Sequence, residues 1–320
     1  MKQFFLPFGL ILATLTGFYL PAGGVLLSNN NGLRIIVFII FLISGYQTGS
    51  KGLTFNKKLF TIFFTAACIS LLLAPLLGLA VSIILQLPLH LAMGLIIIST
   101  VPPTISSGVV ITEVSRGNGV LALFLTISLN LLGIFSMPFV LDLCLNAAGP
   151  IDIDQNALLL KMLFFVLLPF VIGKLFRNLR RKIQVSGVWS YVNSSCVILI
   201  VYASIATSKS AFNGLTLQDY LLILTGVVSV HCLLLAINAL AGKALQLSSA
   251  DNKALLFVTS QKTMALALAV LASLTFDTGN AIIVCLMFHF SQLFIDSFLA
   301  SAMQKKDTPD DDIPSTLMAS

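Results

Sequence analysis

The chain has 320 residues, 58% of them hydrophobic and 9% charged, with a mean hydropathy of +1.02. A water-soluble domain carries about a quarter charged residues to cover its surface, so this composition excludes a soluble enzyme and a soluble nucleic-acid-binding module. The net charge of +6 would suit a nucleic acid, but the distribution of the cations gives another reason for it.

Apolar runs bounded by polar residues, glycine or proline predict membrane spans at 3–21, 33–49, 57–79, 89–114 and 118–144. A second set follows at 157–177, 188–207, 217–243, 251–275 and 279–303. At about 20 apolar residues per span, these helices leave no room for a sizeable soluble domain. Residues 4–20, after Lys2, have the outline of a signal-peptide core, but a similar span opens the second half and argues for a retained helix. The tail 305–320, with Asp307, Asp310, Asp311 and Asp312, reads as a disordered cytoplasmic segment. Cys68, Cys144, Cys196, Cys232 and Cys285 stand far apart, mostly in apolar runs, and form no disulfide or zinc pattern.

Ten spans put both termini on one side. With that side cytoplasmic, its segments hold fourteen cations, including Lys57, Lys58, Arg116 and the cluster from Lys174 to Lys182. The opposite side holds three, Arg34, Lys161 and Lys209, and collects Asp142, Asp152, Asp154, Asp219 and Asp277. Cations gather in cytoplasmic loops, so the asymmetry sets the orientation and explains the basic charge without nucleic acid. The Lys174–Lys182 cluster reads as a topology signal before it reads as a site for anionic lipid.

Five spans on each side of residue 150 imply a duplication, and an odd number per half makes it an inverted repeat, residues 1–150 and 151–304. An offset of 159 residues aligns Thr100 with Thr259, Pro103 with Lys262, Thr104 with Thr263 and Asn130 with His289. Both halves interrupt their fourth span there. In the first, Pro102 and Pro103 each lack an amide donor and clash with the preceding turn, inside the run from Ser99 to Gly108 that also carries Thr104, Ser106 and Ser107. In the second, Thr259, Ser260, Gln261, Lys262 and Thr263 break an apolar segment. Unwound backbone at membrane depth is tolerated only inside protein or beside a watery cavity, and half-helix ends attract ions of both signs.

Lys262 is the sharpest feature, because an ammonium at the bilayer centre costs about 2.5 to 3.5 kcal/mol even on the lenient insertion scale. It fits recognition of an anion, a proton-linked switch, or a built-in cation at a helix crossing. On the tenth span His289, Gln292 and Asp296 share one face at i, i+3 and i+7, which must turn into the bundle; Asp296, nearer the cytoplasmic end, fits either that stripe or a place in water. Thr126 and Asn130 form an i, i+4 face that can meet the first break. No GxxxxGK[ST] loop is present, which argues against ATP-driven transport by this chain alone.

The run Val101-Pro102-Pro103-Thr104-Ile105-Ser106-Ser107-Gly108, then Arg116-Gly117-Asn118 and Leu132-Gly133-Ile134-Phe135, resembles the bile acid/sodium symporter family. The runs Ser260-Gln261-Lys262-Thr263 and Phe41-Leu42-Ile43-Ser44-Gly45, with the His289-to-Gln292 spacing, look most like its divergent branch typified by sodium/bile acid cotransporter 7. The resemblance implies an all-α fold of ten transmembrane helices in two inverted five-helix repeats. Spans 1, 2, 6 and 7 would form a panel and the others a core, with helices 4 and 9 broken and crossing. It further implies alternating access and organic anions moved with sodium. By the same resemblance, Ser106, Ser107, Thr126 and Asn130 match a first sodium site and Gln261 a second. Sodium-coupled relatives carry a glutamate where this chain has Phe257, and often an asparagine where it has Lys262; losing an anionic ligand and gaining a cation disfavours sodium there.

The expected protein is therefore a secondary transporter of a small organic anion in a bacterial-type inner membrane, not an enzyme. No cofactor is expected, with Na+ or H+ as coupling ions to consider and the lipid bilayer as the partner. Two other functions fit the same sequence: a cation/proton antiporter, and a regulatory membrane protein that moves no solute.

Overall fold

The computed structural model describes residues 2–30, 32–47, 56–104, 107–149, 154–179, 188–207, 209, 214–271, 274 and 280–306. Of the tail expected to be disordered, 305–320, Lys305 and Lys306 instead end the last helix, and 307–320 lie outside the described residues. Helix is the only regular structure among the described residues, and six helices are long and apolar enough to cross a membrane, or seven if one bent pair counts as a span. Phe8, Tyr19, Phe294 and Phe298 are among many large apolar side chains left on the surface. Such a surface suits hydrocarbon, and the chain is an all-helical polytopic membrane protein.

The bent pair is α1 (Lys2–Tyr19) and α2 (Pro21–Asn29), which meet at 94°. The sequence suggested one span ending near residue 21; Pro21 instead restarts a helix. Proline disfavours helical backbone at the residue before it and suits a first helical position, and Leu20 accordingly leaves the helix at φ −126°.

α3 (Gly32–Gln47) follows, then α4 (Lys57–Ala67), a π-helical turn (Cys68–Leu73) and α5 (Ala74–Ile84) in one continuous span. α6 (Leu89–Thr100) and α7 (Ser107–Val114) are separated by the first break; α8 (Gly119–Ala148) runs unbroken through Pro138. In the second half α9 (Gln155–Met162), a π-helical turn (Leu163–Leu167) and α10 (Leu168–Leu179) are continuous. α11 (Val188–Thr207) and α12 (Leu217–Ala244) follow. α13 (Ser249–Ser260) and α14 (Met264–Leu271) flank the second break, and α15 (Ala281–Lys306) closes the bundle.

The two breaks share their approach. α5 and α12 end on the same turn, with Gln86 at φ 51° and Gln246 at φ 49°. In each, the left-handed residue's N–H bonds back three residues and the next N–H bonds back five: Gln86 to Ile83 and Leu87 to Ser82, Gln246 to Lys243 and Leu247 to Gly242. This is a Schellman closure, which satisfies carbonyls left open at a helix end. A helix of 12 residues then starts in each half, and both stop at extended residues, Val101 and Gln261. Helix ends therefore set the offset at 160 residues, not 159, so that Pro102 stands opposite Lys262 and Pro103 opposite Thr263. Backbone geometry reveals this register, where side-chain identities suggested the neighbouring one.

α1 packs along α11, and α3 along α10. A methyl on Gly45 would overlap the Phe170 carbonyl, and one on Gly173 the Leu42 carbonyl. Apolar burial drives little association within lipid, so close backbone approach through small residues carries the contact. Gly45→Val should cost about 3 kcal/mol, the upper end for overpacking, read as a lower thermal midpoint in detergent. Gly108→Ala, whose nearest new neighbours lie 3.5 and 3.6 Å away, should leave the midpoint unchanged.

Candidate functional site

Pro102 and Pro103 leave the carbonyls of Ile98 and Ser99 without intrahelical donors, so α6 must stop. The hydroxyls of Ser99 and Thr100 turn inward onto their own helix, donating to Leu95 O at 2.6 Å and Ile96 O at 2.7 Å. α13 stops without a proline, held open by tertiary contacts instead. Gln292 clamps the Lys262 peptide on both sides: its Oε1 accepts from Lys262 N–H at 2.8 Å and its Nε2 donates to Lys262 O at 2.9 Å. A single side-chain amide thus replaces the lost turn as a strand neighbour would.

The breaks touch. Thr263 N–H donates to Pro102 O at 3.1 Å, and Thr263 Oγ1 reaches Pro102 O at 2.9 Å and Pro103 O at 2.5 Å. Asn130 on α8 donates through Nδ2 to Pro103 O at 2.9 Å, as its spacing from the break suggested. The Ser249–Leu271 span that carries the second break is the most enclosed of the long spans, 94% buried.

Lys262 is fully buried, and its ammonium donates to Ser70 O at 2.6 Å and Ser70 Oγ at 3.3 Å. The Ser70 carbonyl is available for a local reason. In the π-helical turn Ala74 N–H bonds to Ile69 O, five residues back; the donor due to Ser70 O in that pattern is Pro75, which has none. The turn and its proline therefore hold out one carbonyl at the depth of the crossing, and Lys262 takes it. No carboxylate among the described residues lies within ion-pair distance of this ammonium. The charge is satisfied by dipoles alone, so any change in the crossing alters its energy strongly.

Gln261 joins the breaks a second way. Its Oε1 accepts from Thr104 Oγ1 at 2.7 Å and Ser107 Oγ at 2.8 Å, while Nε2 donates to Asp296 Oδ2 at 2.8 Å. Asp296 is fully buried, in the inward stripe and not in water, and its Oδ1 pairs with His231 Nε2 of α12 at 2.8 Å. The aspartate lies on the inward face of α15, while Phe294 and Phe298 point outward. His289 and Gln292 share that inward face, and Gln292 Nε2 donates to His289 Nδ1 at 3.0 Å. Since Gln292 is fixed by the Lys262 peptide, His289 Nδ1 acts as the acceptor.

Ten of the twelve residues singled out from the sequence lie in or beside this crossing. Thr126, one turn from Asn130 on α8, and Thr259 on α13 are buried. Ser260 turns its hydroxyl back to Leu256 O at 2.7 Å and so contributes to the helix end and not to the crossing. Ser106 lies outside the described residues. Among these residues three buried oxygens have no hydrogen-bond partner: Thr126 Oγ1, Asn130 Oδ1 and Thr259 Oγ1. Ser70 and His231 escaped the sequence reading. A histidine amid the apolar run of α12 was the signal for one; a proline five residues after a serine was the fainter signal for another.

A profile of the SBF-like CPA transporter family matches residues 3–305. The chain is 28% identical over 321 residues to "Probable sodium/metabolite cotransporter BASS4, chloroplastic" of Arabidopsis thaliana, covering 95% of this chain and 74% of that one. It is 27% identical over 290 residues to "Sodium/bile acid cotransporter 7" of Mus musculus, covering 84% of this chain and 82% of that one.

Proposed function

The chain belongs to the SBF-like CPA transporter family, and from that premise we propose that it is a secondary active transporter moving a small organic anion by alternating access. It is a membrane transporter and not an enzyme; solute, coupling and architecture are our reading. The observation that carries the reading is the meeting of two helix breaks around the buried Lys262 ammonium. A cation placed there draws an anion, and half-helices that cross inside a bundle can rock as a unit.

In this reading the broken pairs α6/α7 and α13/α14 are the fourth and ninth of ten spans, in inverted repeats 1–150 and 151–304. The matching turns at Gln86 and Gln246 support the duplication. Spans 1, 2, 6 and 7 form the panel, supported by the packing of α1 on α11 and α3 on α10. The charge asymmetry supports both termini cytoplasmic, and we take the membrane to be of the bacterial inner type.

Sodium fits one of the two places that the family resemblance implies. Thr126 Oγ1 and Asn130 Oδ1 are buried oxygens lacking donors, a suitable pair for a monovalent cation, with Ser107 and Ser106 next in sequence to the same break. Gln261 does not fit the second, because its oxygen already accepts two hydroxyls and its amide faces Asp296. Lys262 supplies a fixed positive charge beside it. Coupling by fewer ions, or by none, follows.

A second reading, cation/proton exchange, is favoured by the buried His231–Asp296 pair. One experiment separates them: thermal midpoints of the purified protein across organic anions, with and without Na+ and at several pH values. The transporter reading expects saturable stabilisation by at least one organic anion that persists without Na+. A response to pH alone, with none to any organic anion, assigns the exchange function; no response to either leaves a membrane protein that moves no solute.

A further inference from the structure

We propose that the buried His231–Asp296 pair is a proton-binding site served from the cation-rich, cytoplasmic end of α12, the proton landing on His231 Nδ1. The site holds for a transporter of any solute or coupling. Asp296 accepts on both oxygens, from Gln261 Nε2 at Oδ2 and from His231 at Oδ1. A carboxylate that accepts twice is ionised, so the hydrogen of the second bond belongs to His231 Nε2. That leaves Nδ1 as a bare lone pair, buried and without a partner. Histidine is the side chain whose charge ordinarily changes near neutral pH. A proton drawn from cytoplasmic water forms an N–H bond at Nδ1 and leaves hydroxide behind in that water. The imidazolium so formed is already bonded through its other nitrogen to a carboxylate, and the pair passes from one negative charge to none.

The route to Nδ1 is one-sided. On the outer half of α12 the buried positions are Ile223, Gly226, Val227 and Val230, none with a polar side chain, and the Phe288 ring of α15 meets His231 in a T-shaped contact at 6.0 Å. On the other half Asn238 and Gly242 follow His231 at i+7 and i+11 on one buried face. Asn238 is fully buried; its Nδ2 donates to Leu234 O at 2.8 Å, and its Oδ1 has no partner. Asn252, near the start of α13, lies against Gly242, where a methyl would overlap its Oδ1. That oxygen too is buried and without a partner. Leu234 and Leu235 pack into separate apolar clusters, so the line from His231 to Asn238 passes between them. Seven residues of helix span about 10 Å, the reach of a short file of water, and unpartnered buried polar atoms are where such water binds.

The other titratable groups on the elements around the pair are otherwise engaged or lie away from this route. Lys253 of α13 donates to Ser115 O at 2.5 Å and Lys262 to Ser70 O. On α15 His289 Nδ1 accepts from Gln292, and the Cys285 thiol donates to Gly94 O. Cys232 of α12 and Glu113 of α7 are exposed. His90 of α6, Asp219, Tyr220 and Lys243 of α12, and Asp251 of α13 stand near helix ends. A proton at His231 has one consequence that rests on the transporter reading. Gln261 joins the pair to the crossing, and once the carboxylate's charge is answered by an imidazolium, the neighbouring Lys262 ammonium is the unbalanced charge there. A monoanion is then held more tightly as the cytoplasm acidifies, by linkage between the two sites.

The test uses the full-length, tag-free protein in lipid bilayers, its three histidine rings labelled with a nitrogen isotope and read by solid-state nuclear magnetic resonance, which separates a bare ring nitrogen from a protonated one. The proton is its own probe. His231, identified by the signals lost in His231→Gln, should pass from a bare to a protonated Nδ1 as the pH falls from about 8 to 5. Polarisation from water should reach that nitrogen. In Asn238→Leu, which keeps the pair, transfer from water should fall severalfold, and Asn238→Ser, which returns a polar atom, should restore it. A His231 ring that keeps one charge state throughout would overturn the proposal, as would a ring that water does not reach or a charge change confined to His289. Transfer from water unchanged in Asn238→Leu would remove the route and the proposal with it. Because this reading needs no solute, it stands even if no organic anion is carried. An anion carried by a protein whose His231 never changes charge sinks the proton site alone.

Discussion

Lys262→Gln should lower solute uptake in proteoliposomes by about a hundredfold, the loss expected when a fixed charge worth several kcal/mol leaves a binding site, while the protein still folds. The glutamine amide ends one bond short of the ammonium and carries no charge. Ser70 O then has no donor, since Pro75 cannot supply one. The lost hydrogen bond, about 1.5 to 3 kcal/mol for a charged donor, is offset by relief from burying an ion without a counter-charge. A thermal midpoint close to wild type is the result. Any residual uptake should become more dependent on Na+, because the crossing has lost its built-in cation. Lys262→Arg should not rescue, since the planar guanidinium cannot use one carbonyl and one hydroxyl as the compact ammonium does. Uptake and ion dependence unchanged in Lys262→Gln would end the assignment of this amine to function.

The second large effect concerns stability. Asp296→Leu should destabilise by about 3 to 5 kcal/mol, the cost of removing one member of a buried pair, because it strands His231 Nε2 and Gln261 Nε2 together. His231→Leu should cost a similar amount by leaving the carboxylate with only Gln261. The double variant should be more stable than the sum of the two losses implies, by about 2 kcal/mol, since neighbours in one network couple by 0.5 to 3 kcal/mol. Unfolding in graded denaturant, followed by tryptophan-independent circular dichroism, reads all three. Strict additivity would show that the two side chains act separately.

Much of this arrangement was legible beforehand, for identifiable reasons. Apolar run length marked membrane-crossing helices, of which six or seven are long and apolar enough among the described residues, because hydrocarbon thickness dictates that length. Two consecutive prolines and a five-residue polar run marked the breaks, because each is incompatible with a lipid-facing helix. Asn130 was placed against Pro103 by helical spacing alone. What failed depends on rotation and depth, which a linear pattern does not carry. Nearness to a helix end leaves Asp296 open to water in the sequence, and only the rotation of α15, shared with Gln292, decides for the inward place. Ser70 is recruited by a π-helical turn that no residue pattern announces, and the bend at Leu20 turns on a single proline.

Accessibility of the crossing to water tests the account most directly. In a cysteine-free background, Ser107→Cys would be treated in intact membranes with a negatively charged, membrane-impermeant methanethiosulfonate, applied from each side in turn. Reaction from both sides, slowed by a bound organic anion, is the expected result, although Ser107 contacts Gln261 at the meeting of the breaks. A thiol that stays unreactive from either side, yet reacts once the protein is denatured, would contradict it.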